Sequence, residues 1–159
     1  MLTFNPKGLL IPDTNIVSSV AGLKKHFVQN IPTATRQENF EKYIKYSDEL
    51  KYLLSGMALR QWINGSFVTQ IQNPKDIDIV TFIDHNIVVE FREQLDTFGV
   101  KGAWKTYGVD AYIVEILPQD HPKYFFYKSD ITYWMAKFGK TRRGLDGQRN
   151  RKGFLEIIY

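Results

Sequence analysis

Residues 65–82 read Gly-Ser-Phe-Val-Thr-Gln-Ile-Gln-Asn-Pro-Lys-Asp-Ile-Asp-Ile-Val-Thr-Phe, and this stretch decides the fold. Its last seven residues are rich in β-branched and aromatic side chains, which predicts a strand. Because side chains alternate across a strand, we expect Asp76 and Asp78 on one face. Ile77 and Ile79 should enter the core from the other face. The stretch therefore predicts a strand that is buried on one side and carries two carboxylates on the other.

Paired carboxylates of this kind indicate a site for cations. Cβ atoms two positions apart on a strand are separated by roughly 7 Å, so both side chains can lean toward one centre. They repel each other unless a cation lies between them, and hard divalent ions prefer oxygen ligands. The alternative is that Asp76 caps the strand after Pro74 and that Asp78 faces solvent at the margin of the sheet.

A small-residue turn precedes the carboxylates. The segment from Met57 to Asn64 predicts a strand, and it ends at Gly65 and Ser66. The backbone amides and the hydroxyl of such a turn can hold a phosphate. The same two residues are also typical of a turn that only ends a strand.

The order and spacing of these elements resemble the signature of the nucleotidyltransferase superfamily related to DNA polymerase beta. That signature is an apolar strand, Gly-Ser, a spacer of about ten residues, and Asp-x-Asp with apolar residues between and after the carboxylates. The family places a third carboxylate on a later strand, and Asp110 fits this position. The resemblance implies that Asp76, Asp78 and Asp110 hold Mg²⁺, or Mn²⁺ in its place, and act in transfer from a nucleoside triphosphate.

The resemblance also implies roles for the turn and for the acceptor. Gly65 and Ser66 would hold the β- or γ-phosphate, and no protein nucleophile is needed. The acceptor hydroxyl is left open between a protein side chain, a small molecule, an RNA end and a second nucleotide. Glu115 lies an odd number of residues from Asp110 and therefore faces the other side of the strand, which argues against it as the third carboxylate.

Basic and polar residues supply further candidates for phosphate binding. Thr69 and Lys75 lie in the spacer, where contact with phosphate and a solvated loop are both open. Residues 140–152 are strongly basic, with Asp146 as the opposing charge, and we single out Arg142 and Arg143 as candidates for binding a nucleotide. This run fits a triphosphate or a nucleic-acid backbone, whereas most charge runs are solvated loops.

Composition bounds the class of protein. The 159 residues predict one domain, 1–159, and the apolar and charged fractions, 43% and 24%, are those of a globular protein. There is no cysteine, which excludes disulfides, zinc–thiolate sites and thiol catalysis. The net charge of +4 favours an anionic ligand. No membrane span or signal peptide is recognisable, so we expect a cytoplasmic protein without membrane contacts. The three histidines are widely separated, and none stands at metal-ligand spacing from another.

Hydrophobic periodicity and breaker residues predict the remaining elements. Helices are expected near residues 19–30, from a capping box at Thr35 to about residue 54, from about 85 to 98 after an N-cap at Asp84, and from about 122 to 138. Residues 101–108 are expected to be a basic loop. Strands are expected at 109–117 and 153–159. The order of elements predicts an α/β (α+β) fold with a small mixed sheet and flanking helices.

Several segments resemble an uncharacterised bacterial group of small nucleotidyltransferase-like proteins. These segments are Gly65 to Thr69, Pro74 to Asp78, Tyr133-Trp134 before Phe138-Gly139, and Lys152 to Ile157. By analogy, a two-component system such as a toxin–antitoxin or phage-defence pair is one expectation. The alternative is a catalytically inactive module that binds a nucleotide, RNA or a partner protein through its basic C-terminal loop.

Overall fold

The computed structural model describes residues 2–144 and 147–159. Within them, a five-stranded mixed sheet, a small two-stranded sheet and six α-helices form an α+β fold. The expected fold class, a small mixed sheet with flanking helices, is confirmed. Asp146, which opposes the positive charge of the basic run in the sequence, lies outside the described residues.

Seven strands are present in the described residues. They are β1 Thr3–Phe4, β2 Leu10–Ile11, β3 Asn15–Ser18, β4 Arg60–Asn64, β5 Asp78–Asp84, β6 Asp110–Ile116 and β7 Phe154–Ile158. The short strands β1 and β2 pair with each other, and the other five form the main sheet in the order β3-β7-β4-β5-β6. β3 and β7 are parallel, as are β5 and β6, whereas β4 is antiparallel to both of its neighbours.

This topology brings the end of β4 and the beginnings of β5, β6 and β7 to one edge of the sheet. Asn64, the last residue of β4, lies opposite Asp78, the first residue of β5. Asp78 in turn lies beside Asp110, the first residue of β6. The residues that the sequence marks as chemical candidates therefore share this edge.

The described helices cover both faces of the sheet. They are α1 Val20–Lys24, α2 Ala34–Leu53, α3 His85–Glu90, α4 Arg92–Leu95, α5 Val100–Tyr107 and α6 Tyr124–Phe138. One core includes Phe27, Tyr43 and Tyr107 from the helical side together with Ile77, just before β5, and Ile79 of β5. Both isoleucines are fully buried, as the alternation of the sequence predicts.

A smaller core fills the opposite face under α6. Its buried members include Trp62, Val80, Trp134 and Phe138. Trp134 and Phe138 lie four residues apart and therefore share one face of the helix, so a single helix covers this part of the sheet. Within the described residues, no helix is both long and apolar enough to cross a membrane.

The helix after Pro32 begins earlier than expected. Its N-cap is Thr33, whose hydroxyl oxygen accepts a hydrogen bond from the Arg36 amide at 3.4 Å. The predicted capping box at Thr35 was wrong because Thr33 already satisfies an amide of the first turn. Thr35 instead donates its hydroxyl to Asn73 Oδ1 at 2.7 Å, which ties the helix to the spacer.

Two predictions between residues 85 and 108 were wrong. The expected single helix is interrupted at Phe91, whose backbone angles (φ −105°, ψ 22°) leave the helical range, so α3 and α4 are separate and a 3₁₀ turn follows at Asp96–Phe98. The expected basic loop is α5. Gly99 and Gly108 mark the ends of that helix, and Gly102 allows close contact because a Cβ there would meet backbone atoms of Asp96 and Thr97.

The N-terminal segment contains strands that the sequence pattern did not predict. β1 and β2 have two residues each, and β3 has four, which is too short for hydrophobic alternation to mark them. Helix α1 continues into a π-helical turn at Lys25–Gln29, so the helix expected near residues 19–30 is present with a changed pitch. The N-terminal part thus adds an edge strand and covers the core.

Candidate functional site

Gly65 forms the turn that joins β4 to the spacer. Its φ of +82° lies in the region that favours glycine, and a 3₁₀ turn at Ser66–Val68 follows. A Cβ at position 65 would overlap Asp78 Oδ2. Two separate constraints, the backbone angle and the contact with a carboxylate, therefore require glycine here.

Asp78 and Asp110 form a carboxyl pair at the start of two parallel strands. They are neighbours in the β5–β6 register, and their side chains are hydrogen-bonded to each other. Burial, followed by the charges of Asp110 and Asp76, raises the pKa of Asp78 to about 7, while the Arg142 charge opposes this shift. Such a pair holds a proton near neutral pH and exchanges it readily for another cation.

Asp76 reaches the same site from a different element than expected. The strand begins at Asp78, so Asp76 lies in the loop before it, and the prediction that Asp76 belongs to the strand was wrong. The strand starts at Asp78 because pairing with β4 ends at Asn64. Asp76 nevertheless lines the same cavity as Asp78 and Asp110.

A buried arginine holds the spacer between the turn and the carboxylates. Arg36 is fully buried, and its Nη1 donates to the carbonyl oxygens of Phe27 at 2.9 Å and Phe67 at 2.8 Å. Its Nη2 donates to the carbonyl oxygens of Thr69, at 2.7 Å, and Ile71. One side chain therefore fixes the path of the backbone that follows Ser66.

Two further residues of α2 and its cap extend this anchor. Asn39 donates to the carbonyl oxygen of Pro74 at 2.9 Å, and the Thr33 hydroxyl donates to that of Gln72 at 2.8 Å. The N-terminal end of α2 thus holds the spacer almost to Asp76. In sequence, Arg36 and Asn39 look like ordinary residues of an amphipathic helix, and no local pattern assigns them to the site.

The edge of the sheet opens into a cavity of about 610 Å³. It is lined by three carboxylates, from Asp76, Asp78 and Asp110, and by six cationic side chains, from Lys75, Lys137, Lys140, Arg142, Arg149 and Lys152. The volume is within the range of small-molecule sites. Its charge pattern, an acidic floor within a basic wall, matches a polyanion that carries a bound cation.

Five of the six candidate phosphate-binding residues line the cavity, and Arg143 is not among the described lining residues. Gly65, Ser66, Thr69, Lys75 and Arg142 all line the cavity. Thr69 is buried, and its hydroxyl donates to the Ser66 carbonyl at 2.7 Å, so it stabilises the turn.

Arg143 behaves differently from its neighbour Arg142. Both side chains are exposed, but Arg143 is not among the described residues that line the cavity. Adjacent arginines in the basic run therefore have different relations to the carboxylates, which gives a matched pair for mutagenesis.

An aromatic cluster forms the wall next to Asp110. The Tyr112 hydroxyl is hydrogen-bonded to Asp110, and burial, followed by the charge of that carboxylate, raises the Tyr112 pKa to about 12. Lys137 Nζ lies 5.1 Å from the Tyr112 ring centre and 4.6 Å from that of Trp134. Tyr133 is exposed, and its ring packs against Trp134 with a centroid distance of 5.1 Å, so base stacking stays open for Tyr133 while Trp134 is a core residue.

The donor chemistry of the site fits a hard divalent cation. Asp78 and Asp110 offer carboxylate oxygens at adjacent strand ends, and their mutual repulsion is relieved by a proton or a metal ion. Within residues 2–144 and 147–159, no three acidic or histidine side chains already stand in a coordinating arrangement. A metal would therefore be held by the Asp78–Asp110 pair, and Asp76 would have to approach from the loop.

Lys152 belongs to the site, although in sequence it is the last residue of the basic run 140–152. It is 3% exposed, and its Nζ donates to Asn64 Oδ1 and to the Gly65 carbonyl at 3.4 Å. Its neighbours in the chain, Gly153 and Phe154, are buried, and this onset of the last strand was the available signal.

The histidines lie away from this site. The rings of His85 and His121 stand 4.8 Å apart, although the two residues are distant in sequence. His85 Nδ1 is hydrogen-bonded to Glu115 Oε1. Glu115 faces away from Asp110, as strand alternation predicts, so this cluster belongs to the other end and the other face of the sheet.

Comparison with known proteins identifies the family of the chain. Neither the search of curated proteins nor the search of solved structures gives a match. A model of DUF6932, a family of unknown function, matches residues 2–158. The chain therefore belongs to the DUF6932 family.

Proposed function

We propose that this domain transfers a nucleotidyl group from a nucleoside triphosphate to the hydroxyl of an acceptor. The observation that carries the proposal is the convergence of the Gly65–Ser66 turn, the Asp78–Asp110 pair and a basic wall on one cavity of about 610 Å³. Turn, carboxylates and cations come from separate parts of the chain. Their assembly in one place supports a ligand that carries both phosphates and a metal ion.

Each group has a defined part in such a reaction. Asp78 and Asp110 would hold Mg²⁺, or Mn²⁺ in its place, and Asp76 would add negative charge beside it. The ion would supply charge neutralisation at the phosphates and activation of the acceptor hydroxyl. Ser66 and the amides of the turn hold the phosphates, and Lys75 and Arg142 neutralise them. Positioning and charge neutralisation supply most of the rate of phosphoryl-type transfer, so the protein needs no nucleophile.

The acceptor belongs to one of several classes. A protein side chain, an RNA end or a small molecule would each present a hydroxyl to the cavity. We include a cytoplasmic location, and a partner chain as in a toxin–antitoxin or phage-defence pair, in the same proposal.

Transfer of the α-phosphate tests the reaction directly. Each of the four nucleoside triphosphates, labelled at the α-phosphate, would be incubated with the protein, Mg²⁺ and a cell extract. We expect the label to enter an acceptor with wild type and not with Asp78→Asn or Asp110→Asn. The control is Asp84→Asn, which removes a carboxylate from the far end of β5. Equal labelling by wild type and Asp78→Asn would refute the role of the pair.

A second function is favoured by one observation. Because the described acidic side chains do not form a preassembled set of three ligands, the cavity also suits a non-catalytic module. Such a module would bind a nucleotide, RNA or a partner protein through residues 140–152. It predicts binding that survives removal of divalent cations by EDTA, together with no transfer of label.

A further inference from the structure

Lys152 occupies an unusual position for a lysine. It lies two residues before β7 and is 3% exposed, although it lines the cavity. Lysine is almost never fully buried unless it is paired, because removing an ammonium group from water is costly. Burial lowers its pKa to about 8, and the charge of Asp78 opposes this shift. The group is therefore a desolvated cation at neutral pH.

The sheet places this cation in line with the carboxylates. Asn64 lies beside Asp78, and Asp78 lies beside Asp110, across the neighbouring strands β4, β5 and β6. Lys152 Nζ donates to Asn64 Oδ1 from the side of β7. The edge of the sheet thus carries a cation at one end and a carboxyl pair at the other, with a neutral amide between them.

The positive charge of Lys152 is not neutralised by an ion pair with a described residue. Its two hydrogen bonds from Nζ go to neutral oxygens, those of the Asn64 side chain and the Gly65 backbone. Among the described residues, it takes part in none of the ion pairs within 4.0 Å. An ammonium group has three donors, so one N–H remains for a ligand beside the turn. A buried cation with a spare donor is suited to an anion that enters the cavity.

We propose that the Lys152 ammonium is a catalytic residue that contacts the pyrophosphate portion of the triphosphate and stabilises it as it leaves. This inference rests on the proposed function. The acceptor oxygen forms a bond to the α-phosphorus, and the bond from that phosphorus to the α,β-bridging oxygen breaks. The bridging oxygen keeps the electron pair, pyrophosphate departs, and the hydroxyl proton is released to water. Lys152 neutralises the negative charge that develops on the departing group.

Its contact with the Gly65 carbonyl explains why Lys152 acts on this part of the substrate. The ammonium lies beside the Gly65 carbonyl, and Asp78, which also packs against Gly65, follows it across Asn64 in the row. The leaving phosphates and the metal-binding groups are therefore assigned to successive positions along one row, with Asp110 farthest from Lys152. A triphosphate that lies along the row would place its α-phosphate near Asp78 and Asp110.

The test compares affinities for inorganic pyrophosphate and for nucleoside monophosphates by calorimetry in the presence of Mg²⁺. We expect Lys152→Met to lower pyrophosphate affinity at least about 10-fold, in keeping with loss of a charge-assisted hydrogen bond, and to leave monophosphate affinity within about 2-fold. A general distortion of the cavity would lower the affinities for pyrophosphate and for monophosphates alike. The control is Lys128→Met, which removes the same charge from an exposed position on α6 and should change neither affinity.

Failure of this inference is distinguishable from failure of the proposed function. If wild type binds triphosphates and Lys152→Met binds pyrophosphate equally well, only the role of Lys152 is refuted. If wild type binds neither pyrophosphate nor any of the four triphosphates, both the role of Lys152 and the proposed function are refuted.

A measurement on wild type covers the case in which Lys152→Met does not fold. The Nζ resonance of Lys152 in ¹⁵N-lysine-labelled protein should shift when pyrophosphate binds. An unchanged resonance in the saturated complex would overturn the inference.

Discussion

The carboxylate of Asp78 lies directly against Gly65, so closely that a Cβ at position 65 would overlap Asp78 Oδ2. The turn and the carboxyl pair are therefore one packed unit, although 12 residues separate them in sequence. This contact links the two halves of the predicted motif.

Replacing Gly65 with alanine tests this contact. We expect Gly65→Ala to lower triphosphate affinity at least about 10-fold and to lower the free energy of unfolding by about 2 kcal/mol, because it adds both a steric clash and backbone strain. The control is Gly56→Ala, since Gly56 has a nearly identical φ of +81° and open space around it. Calorimetric titration and denaturant unfolding measure the two effects, and equal affinities in both variants would contradict the account.

Protonation of Asp78 makes stability depend on pH. Its pKa of about 7 in the folded protein lies above the ordinary value of 3.8, so the folded state holds a proton that the unfolded chain releases. This contribution is complete below about pH 4 and is lost as the pH rises through about 7. We expect Asp78→Asn to be more stable than wild type at pH 8, on the order of 2 kcal/mol, with the gain shrinking toward pH 5.

Urea unfolding across this pH range measures the Asp78 effect. Asp84→Asn, at the exposed far end of β5, serves as the control and should keep the wild-type profile. A wild-type profile that is parallel to that of Asp78→Asn would show that Asp78 ionises normally.

Loss of Arg36 should release the spacer. Arg36→Met leaves several buried carbonyl oxygens without a donor, which we expect to cost about 3 kcal/mol of unfolding free energy. Amide exchange should rise between residues 66 and 74, because Arg36 fixes this backbone. The matched variant Arg92→Met removes an exposed arginine from α4 and should have little effect. Unchanged exchange in Arg36→Met would show that other contacts hold the spacer.

The neighbouring arginines of the basic run should differ in function. Arg142 lines the cavity and opposes the raised pKa of Asp78, whereas Arg143 is not among the described residues of the lining. We expect Arg142→Met to reduce triphosphate affinity about 5- to 10-fold, as for loss of one charged contact, and Arg143→Met to change it less than about 2-fold. In titrations at two salt concentrations, the triphosphate affinity of wild type should depend more strongly on salt than that of Arg142→Met. Equal losses in both variants would indicate a diffuse charge effect.

The part of the fold that follows local patterns was predictable. Ile77 and Ile79 entered the core as alternation requires, and Asp110 began the third strand of the site. The position of Asp76 was not predictable, because pairing with β4 rather than local propensity decides where β5 begins. The basic, glycine-containing segment 101–108 suggested a loop, whereas Val100–Tyr107 is a short helix that ends at Gly108.

No local sequence pattern identifies the residues that support the site. Arg36 stands in a periodic helix and Lys152 in a basic run, and either pattern favours solvent exposure. Only the tertiary arrangement shows that Arg36 binds backbone carbonyls and that Lys152 donates to Asn64 and Gly65 beside the carboxyl pair. The sheet order joins β7 to β4, and this long-range pairing buries Lys152.

Metal-dependent nucleotide binding is tested by the affinity of ATP, GTP, CTP and UTP with and without Mg²⁺, measured by calorimetry on wild type and on the double variant Asp78→Asn/Asp110→Asn. We expect that at least one triphosphate binds wild type, that Mg²⁺ strengthens this binding at least about 10-fold, and that the double variant loses the Mg²⁺ effect. Binding that is equal with and without Mg²⁺ in both proteins, or no binding of any triphosphate to wild type, would contradict a metal-dependent nucleotide site.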